Sequence, residues 1–279
     1  MQNIKPDLEY QIRPGVKILV FGSNNKNTNW KCLIKPDLPC DEENKREMVQ
    51  TVIKFGGDKI LAPNSSLFNA VVTDPKNLQT EINIDGLTIL RGCDAEGVLV
   101  PKGMTAGFFP ADCYTVVAYD SRDNVIACHA GGKSTFDSEA TALEKTTREN
   151  ESVANAIIRK FQSLGSRIEE ISAFICFGID WQHFGYDGKT DDRFLKRIAQ
   201  VSGQDSLKKN HRTGVRDRYD IRQALRNQFR ILGVEPKKIS TDSVDTFSNN
   251  KFWSHERSKR ESNESEALNG RNLVLVVHA

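Results

Sequence analysis

Residues 111–134 read ADCYTVVAYDSRDNVIACHAGGKS, and this stretch decides the fold. Two apolar runs, YTVVAY (114–119) and VIACH (125–129), flank Asp120-Ser121-Arg122-Asp123-Asn124. Val, Ile, Thr and Tyr favour extended backbone. Asp, Asn and Ser favour turns, because their short side chains bond to nearby backbone. A β-hairpin is therefore expected. Cys113 opens its first strand and His129 closes its second, which brings both to one sheet end. Register decides whether they share a face, because a one-residue slip inverts a side chain. A cysteine and histidine so placed can make a thiolate–imidazole pair or two soft metal ligands. Taken singly, a cysteine in an apolar strand is core packing. Gly131-Gly132 would let the backbone approach a ligand closely, and Lys133 would offer charge to an anion there.

Working outward, VKILVF (16–21) is a strand broken by Gly22-Ser23-Asn24-Asn25. Residues 41–55 place Met48, Val49, Val52, Ile53 and Phe55 on one helical face, with Asp41 as N-cap and Gly56-Gly57 as the stop. Short strands are expected at 67–73, 86–90 and 97–100. Val153, Ile157, Ile158, Phe161 and Leu164 form a helical stripe before Gly165. A strand at 170–177 and helices at 191–202 (Phe194, Leu195, Ile198 and Val201 inward) and 218–232 (Ile221, Leu225, Phe229 and Leu232 inward) follow. NLVLVV (272–277) closes the chain as a strand. Residues 134–150 are polar and weakly periodic, a weak helix or a loop. The charged run HERSKRESNESE (255–266) reads as a solvated loop or, alternatively, as a basic flank to a ligand pocket. Hairpin-like pairs mixed with crossovers imply an α/β (mixed α+β) fold, with mixed sheets flanked by helices. No Pro/Gly/Ser-rich linker interrupts residues 1–279, so a single domain is expected.

The 39 basic and 37 acidic residues leave a net charge of +2, which supports neither nucleic-acid nor membrane affinity. The apolar runs are strand-sized, and MQNIKPDLEYQIRPG (1–15) lacks the apolar core of a signal peptide. The six cysteines form no CxxC pair, so a reduced, cytoplasmic chain is expected.

Residues 93–134, CDAEGVLVPKGMTAGFFPADCYTVVAYDSRDNVIACHAGGKS, resemble the core of the laccase-domain family. That family is also called polyphenol oxidase or peptidoglycan-editing factor, and it includes purine nucleoside phosphorylases. Asp94-Ala95, Ala111-Asp112-Cys113 and His129-Ala130-Gly131 match its motifs in order and spacing. Further matches are Glu43-Asn44-Lys45-Arg46, Ile179 and Phe184 within 171–187, and Asp220, Gln228, Gly233 and Val234 within 219–234. FWSHER (252–257) with GRN (270–272) resembles the closing motif. The resemblance implies a laccase-domain, cysteine-hydrolase-like fold. Three departures stand out. The family's first zinc-ligand histidine should fall near Ser65-Ser66-Leu67-Phe68, its Trp-Arg-Gly is here Gly132-Lys133-Ser134, and its late Cys-Thr is Asp245-Thr246. His183 or His255 could supply a third zinc ligand; His183, beside Trp181 and Phe184, otherwise reads as aromatic packing and His255 as an exposed side chain. Copper oxidase chemistry is excluded, since five scattered histidines with no His-x-His pair cannot build a copper cluster.

The resemblance implies zinc-dependent phosphorolysis of adenosine, inosine or methylthioadenosine, or adenosine deamination, with a nucleoside and phosphate as partners. Cys113 and His129 would hold zinc, Asp112 would orient a ligand, and Lys133, Arg257 and Arg271 would receive phosphate. Two alternatives stay open. One is metal-free Cys113–His129 amide hydrolysis, as in peptidoglycan-precursor editing. The other is a non-catalytic binding protein that has lost the missing motif residues.

Overall fold

A computed structural model describes residues 4–23, 28–35, 37–65, 70–132, 134–135, 152–184, 192–209, 218–261 and 270–279. The strands, in chain order, are β1 (Leu8–Arg13), β2 (Val16–Phe21), β3 (Lys59–Leu61), β4 (Val72–Thr73), β5 (Thr80–Ile84), β6 (Leu87–Arg91), β7 (Gly97–Leu99) and β8 (Met104–Phe108). They continue as β9 (Tyr114–Tyr119), β10 (Val125–Ala130), β11 (Ser172–Cys176), β12 (Leu207–Lys208), β13 (Arg218–Tyr219), β14 (Ile239–Thr241) and β15 (Leu273–His278). The helices are α1 (Glu42–Gly56), α2 (Val153–Ser163), α3 (Asp192–Ser202), α4 (Ile221–Ile231) and α5 (His255–Glu261).

Two mixed sheets stand face to face. One runs β1-β2-β15-β8-β3-β6-β5 and the other β14-β11-β9-β10-β7-β4; β12 and β13 pair separately. Side-chain alternation explains the layering. Val16, Ile18 and Val20 of β2 share a buried cluster with Val117 of β9 and Val125 and Ala127 of β10, so these faces meet between the sheets. The alternate residues Leu19 and Phe21 pack outward with Met48, Val49 and Val52 of α1. Val116, Ala118, Ile126 and Cys128 pack outward against α2 and α4. The result is an α/β/β/α stack. Because both faces of β9 and β10 are covered, these strands read as continuous apolar runs instead of alternating ones. Each fully buried aliphatic side chain there contributes roughly 1.5–3 kcal/mol. Gly97 lets β7 lie against β10, since a Cβ there would sit 2.0 Å from Cys128 Sγ.

The expected N-cap Asp41 holds, and two further caps join it. Asp41, Ser152 and Asp220 accept backbone N–H bonds at the starts of α1, α2 and α4. The expected strand at 67–73 is reduced to β4, with 66–69 outside the described residues. The expected loop at 255–266 is corrected, since 255–261 form α5. Ser254 Oγ and Asp112 Oδ2 accept the N–H groups of Arg257 and Glu256, at 3.2 and 2.8 Å. Those acceptors satisfy amides that the charged composition alone would leave to water. Residues 136–150 of the polar stretch lie outside the described residues. No helix among the described residues is long and apolar enough to cross a membrane.

Candidate functional site

The hairpin register answers the question left by the sequence. His129 pairs with Thr115, so Cys113, two residues before Thr115, keeps the same face. That face carries Val117, Val125 and Ala127 and points between the sheets. The Cys113 sulfur and the His129 ring line the same space there and interact electrostatically. On the other side of His129, β7 contributes Glu96. Its backbone carbonyl accepts the His129 N–H at 2.7 Å. Its carboxylate Oε2 lies 2.5 Å from His129 Nδ1. Cys113, His129 and Glu96 thus form a continuous line across adjacent strands.

The electrostatics follow from burial. Glu96 is 0% exposed and His129 is 7% exposed. Burial alone would push the imidazole toward its neutral form. The Cys113 sulfur and the Glu96 carboxylate outweigh it and raise the His129 pKa to about 10. A buried carboxylate needs such a partner, because an uncompensated charge there costs several kcal/mol. Glu96 Oε1 and Thr115 Oγ1 make no hydrogen bond among the described residues.

Cys113 and His129 open into a cavity of about 410 Å³. It lies where the ends of β3, β6 and β8 and the start of β15 meet the hairpin, a crevice at strand ends of the kind that commonly takes ligands. Lys31, Lys35, Arg91 and Arg271 line it, with Asn64, Ser65 and His255. No Asp or Glu is among its described lining residues. Arg271 donates to its neighbour's carbonyl, Gly270 O, at 3.1 Å. Arg91 approaches Asn64 Oδ1 at 3.5 Å, and burial alone pulls its pKa down.

The remaining expected residues are placed differently. Asp112 is 5% exposed, does not line the cavity, and accepts from Thr246 Oγ1 at 2.6 Å and Glu256 N at 2.8 Å. Its φ of 82° is unusual for a residue with a side chain, costing of order 1–3 kcal/mol, and those bonds fix the bend that leads into Cys113. Arg257 is engaged by the carbonyls of Thr246, Phe247, Asn249 and Phe252, away from the cavity lining. Lys133 lies outside the described residues. At Gly132 the close approach is made by the protein itself, since a Cβ would sit 2.6 Å from Tyr219 Oη. Of the two candidate third ligands, His183 stacks on Phe247 at 4.4 Å and pairs with Asp245 at 2.8 Å, outside the cavity. His255 lines the cavity, and its buried Nδ1 has no hydrogen-bond partner among the described residues. Ser65, near the expected first histidine, also lines it.

Sequence reasoning missed Glu96, Arg91, Lys31 and Lys35. Only Glu96 left a local signal, a carboxylate abutting the apolar run GVLV (97–100).

A zinc centre with an open position takes three protein ligands. Among the described residues no group of three His, Cys, Asp or Glu side chains converges to hold a metal. Ser66, Leu67, Phe68 and Asn69, outside the described residues, have side chains of other kinds. Among the described residues the donor set falls short of such a centre.

Residues 43–278 match a family described as multi-copper polyphenol oxidoreductase laccase. No curated protein matches the chain. Among solved structures, the fold is shared with the hypothetical protein YfiH of Bacillus licheniformis, at 16% identity and a TM-score of 0.66, covering 98% of this chain and 100% of that one. YlmD of Geobacillus stearothermophilus is similar at 15% identity and a TM-score of 0.67, covering 98% and 99%. The Neisseria meningitidis protein NMB0706 is similar at 15% identity and a TM-score of 0.64, covering 97% and 98%.

Proposed function

The chain belongs to the multi-copper polyphenol oxidoreductase laccase family, and from that premise we propose that it is an enzyme of purine nucleoside phosphorolysis, with Cys113, His129 and Glu96 at the reacting centre. The observation that carries this reading is the single cavity that joins a buried Cys113–His129–Glu96 line to a cationic lining. Arg271 holds phosphate through charge-assisted bonds beside the nucleoside C1′. A phosphate oxygen bonds to C1′ as the C1′–N bond breaks, and the bond's electron pair leaves with the purine. His129, charged at neutral pH, lends the departing base a proton and recovers one from the new phosphate ester. Glu96 holds the ring in the matching tautomer and stabilises its charge.

The zinc implied by the resemblance would rest on Cys113 and His129. With no third ligand converging on them among the described residues, no step is routed through it.

The test is free-base release from adenosine, inosine and methylthioadenosine with and without phosphate, followed by chromatography. Phosphate-dependent release that disappears in His129→Ala supports the reading. No release from any of the three at pH 6–9 overturns it, and so does release that ignores phosphate.

One observation favours a second reading. Cys113, His129 and Glu96 stand in the order of a nucleophile, base and orienting acid. Here Cys113 attacks an amide carbonyl, and the amine leaves with a proton from His129. Covalent trapping of Cys113 by an amide-derived electrophile, with no nucleoside turnover, separates it from the first.

A further inference from the structure

The cavity offers cations at two separate places, where one phosphate and a neutral nucleoside call for one. His129 and Glu96 offset one another inside the protein. Lys31, Lys35, Arg91 and Arg271 also line the cavity, with no acidic residue among the described lining, and Lys31 and Arg271 have further contacts of their own. Arg91 is half-buried and Lys35 exposed, and neither has a carboxylate partner among the described residues. A half-buried guanidinium without a counter-ion is unfavourable unless an anion arrives from outside.

The cations are also spread along the cavity. Arg91 ends β6, while Arg271 stands just before β15, three strand spacings away in the same sheet. At about 4.8 Å per spacing the two backbones lie ~14 Å apart. Lys31 and Lys35 belong to one turn, closed by Lys35 N donating to Lys31 O at 3.0 Å, so both side chains reach the cavity from one side. Arg271 and His129 serve the phosphate of the reaction proposed above, which leaves Arg91 and Lys35 for a second anion.

Resting on that reading, we infer that the substrate is a purine nucleoside monophosphate, its phosphate ester held by Arg91 and Lys35. The reaction then takes inorganic phosphate and the nucleotide to a free purine and ribose 1,5-bisphosphate. The C1′–N bond breaks, a C1′–O bond to phosphate forms, and one proton passes from phosphate to the base, with no oxidant or reductant. A further reaction that consumes a pentose bisphosphate would follow.

The experiment compares AMP with adenosine, at fixed ionic strength, using the full chain. One arm measures phosphate-dependent adenine release, and the other measures equilibrium binding by calorimetry in Cys113→Ala, which needs no turnover. The expected result is AMP favoured over adenosine about tenfold or more in kcat/KM and in affinity, as charge-assisted bonds to one phosphate allow. Arg91→Ala should collapse that preference. Lys35→Ala, at an exposed position, should reduce it without risk to folding. Adenosine turnover with no preference for AMP overturns the inference and leaves the phosphorolysis reading standing. AMP binding preferred without base release from either keeps the substrate class and overturns phosphorolysis. Equal binding of both overturns the inference on its own.

Discussion

The two walls of the cavity differ in how their charge is balanced. The hairpin wall pairs His129 with Glu96 and Cys113, so its ionic groups neutralise one another inside the protein. The opposite wall sets Lys31, Lys35, Arg91 and Arg271 around the same space with no acidic lining residue described. The first wall is prepared for chemistry, because its groups hold their protonation state with the cavity empty. In the proposed reaction the second serves affinity, because its positive lining suits an anion. Substitutions in the first wall should therefore act on kcat and on stability, and those in the second on KM.

The largest expected effect comes from the hairpin wall. Cys113→Ser or His129→Ala should lower kcat/KM by ~10³-fold, within the range for a positioned acid–base group. Next comes Glu96→Ala, which strips a buried His129 of its counter-charge. Its expected cost is about 3 kcal/mol in denaturant unfolding, since breaking a buried ion pair leaves one charge uncompensated. A loss below ~1 kcal/mol would mean that this wall is not internally balanced.

The pH dependence sharpens the same point. His129 has a folded pKa of about 10 against an ordinary 6.5, so folding favours its protonated form. That stabilisation is complete below pH 6.5 and is lost as pH rises through 10. The melting temperature of the wild type should thus fall between pH 7 and 10 by more than that of His129→Gln. Parallel profiles would remove the charged imidazole from the account.

The sequence discloses the first wall far better than the second. The hairpin is local. Two apolar runs and a polar turn specify it, and parity from His129 to Thr115 to Cys113 then follows from pairing. β8 escaped because MTAGF mixes small residues with no alternation, whereas β1, where Leu8, Tyr10 and Ile12 alternate with polar residues, carries the strand signal and was missed. The cationic wall assembles from a turn near residue 31, the end of β6 and the approach to β15, which no short-range pattern links. Arg257 shows the converse error, because a motif arginine can serve backbone carbonyls as readily as a ligand.

The smallest effect belongs to the cationic wall and tests it most directly. Arg271→Ala should raise KM for phosphate about tenfold, the value of one charge-assisted contact, and leave kcat within about twofold. Salt should act in the same sense, since screening at 0.15 M falls off over ~8 Å and a half-open cavity is reached by it. Raising salt should therefore increase KM more steeply in the wild type than in Arg271→Ala, at an unchanged kcat. If Arg271→Ala instead lowers kcat with KM unaltered, Arg271 acts on the reacting atoms. The division between a wall that performs the chemistry and a wall that gathers the anion then fails.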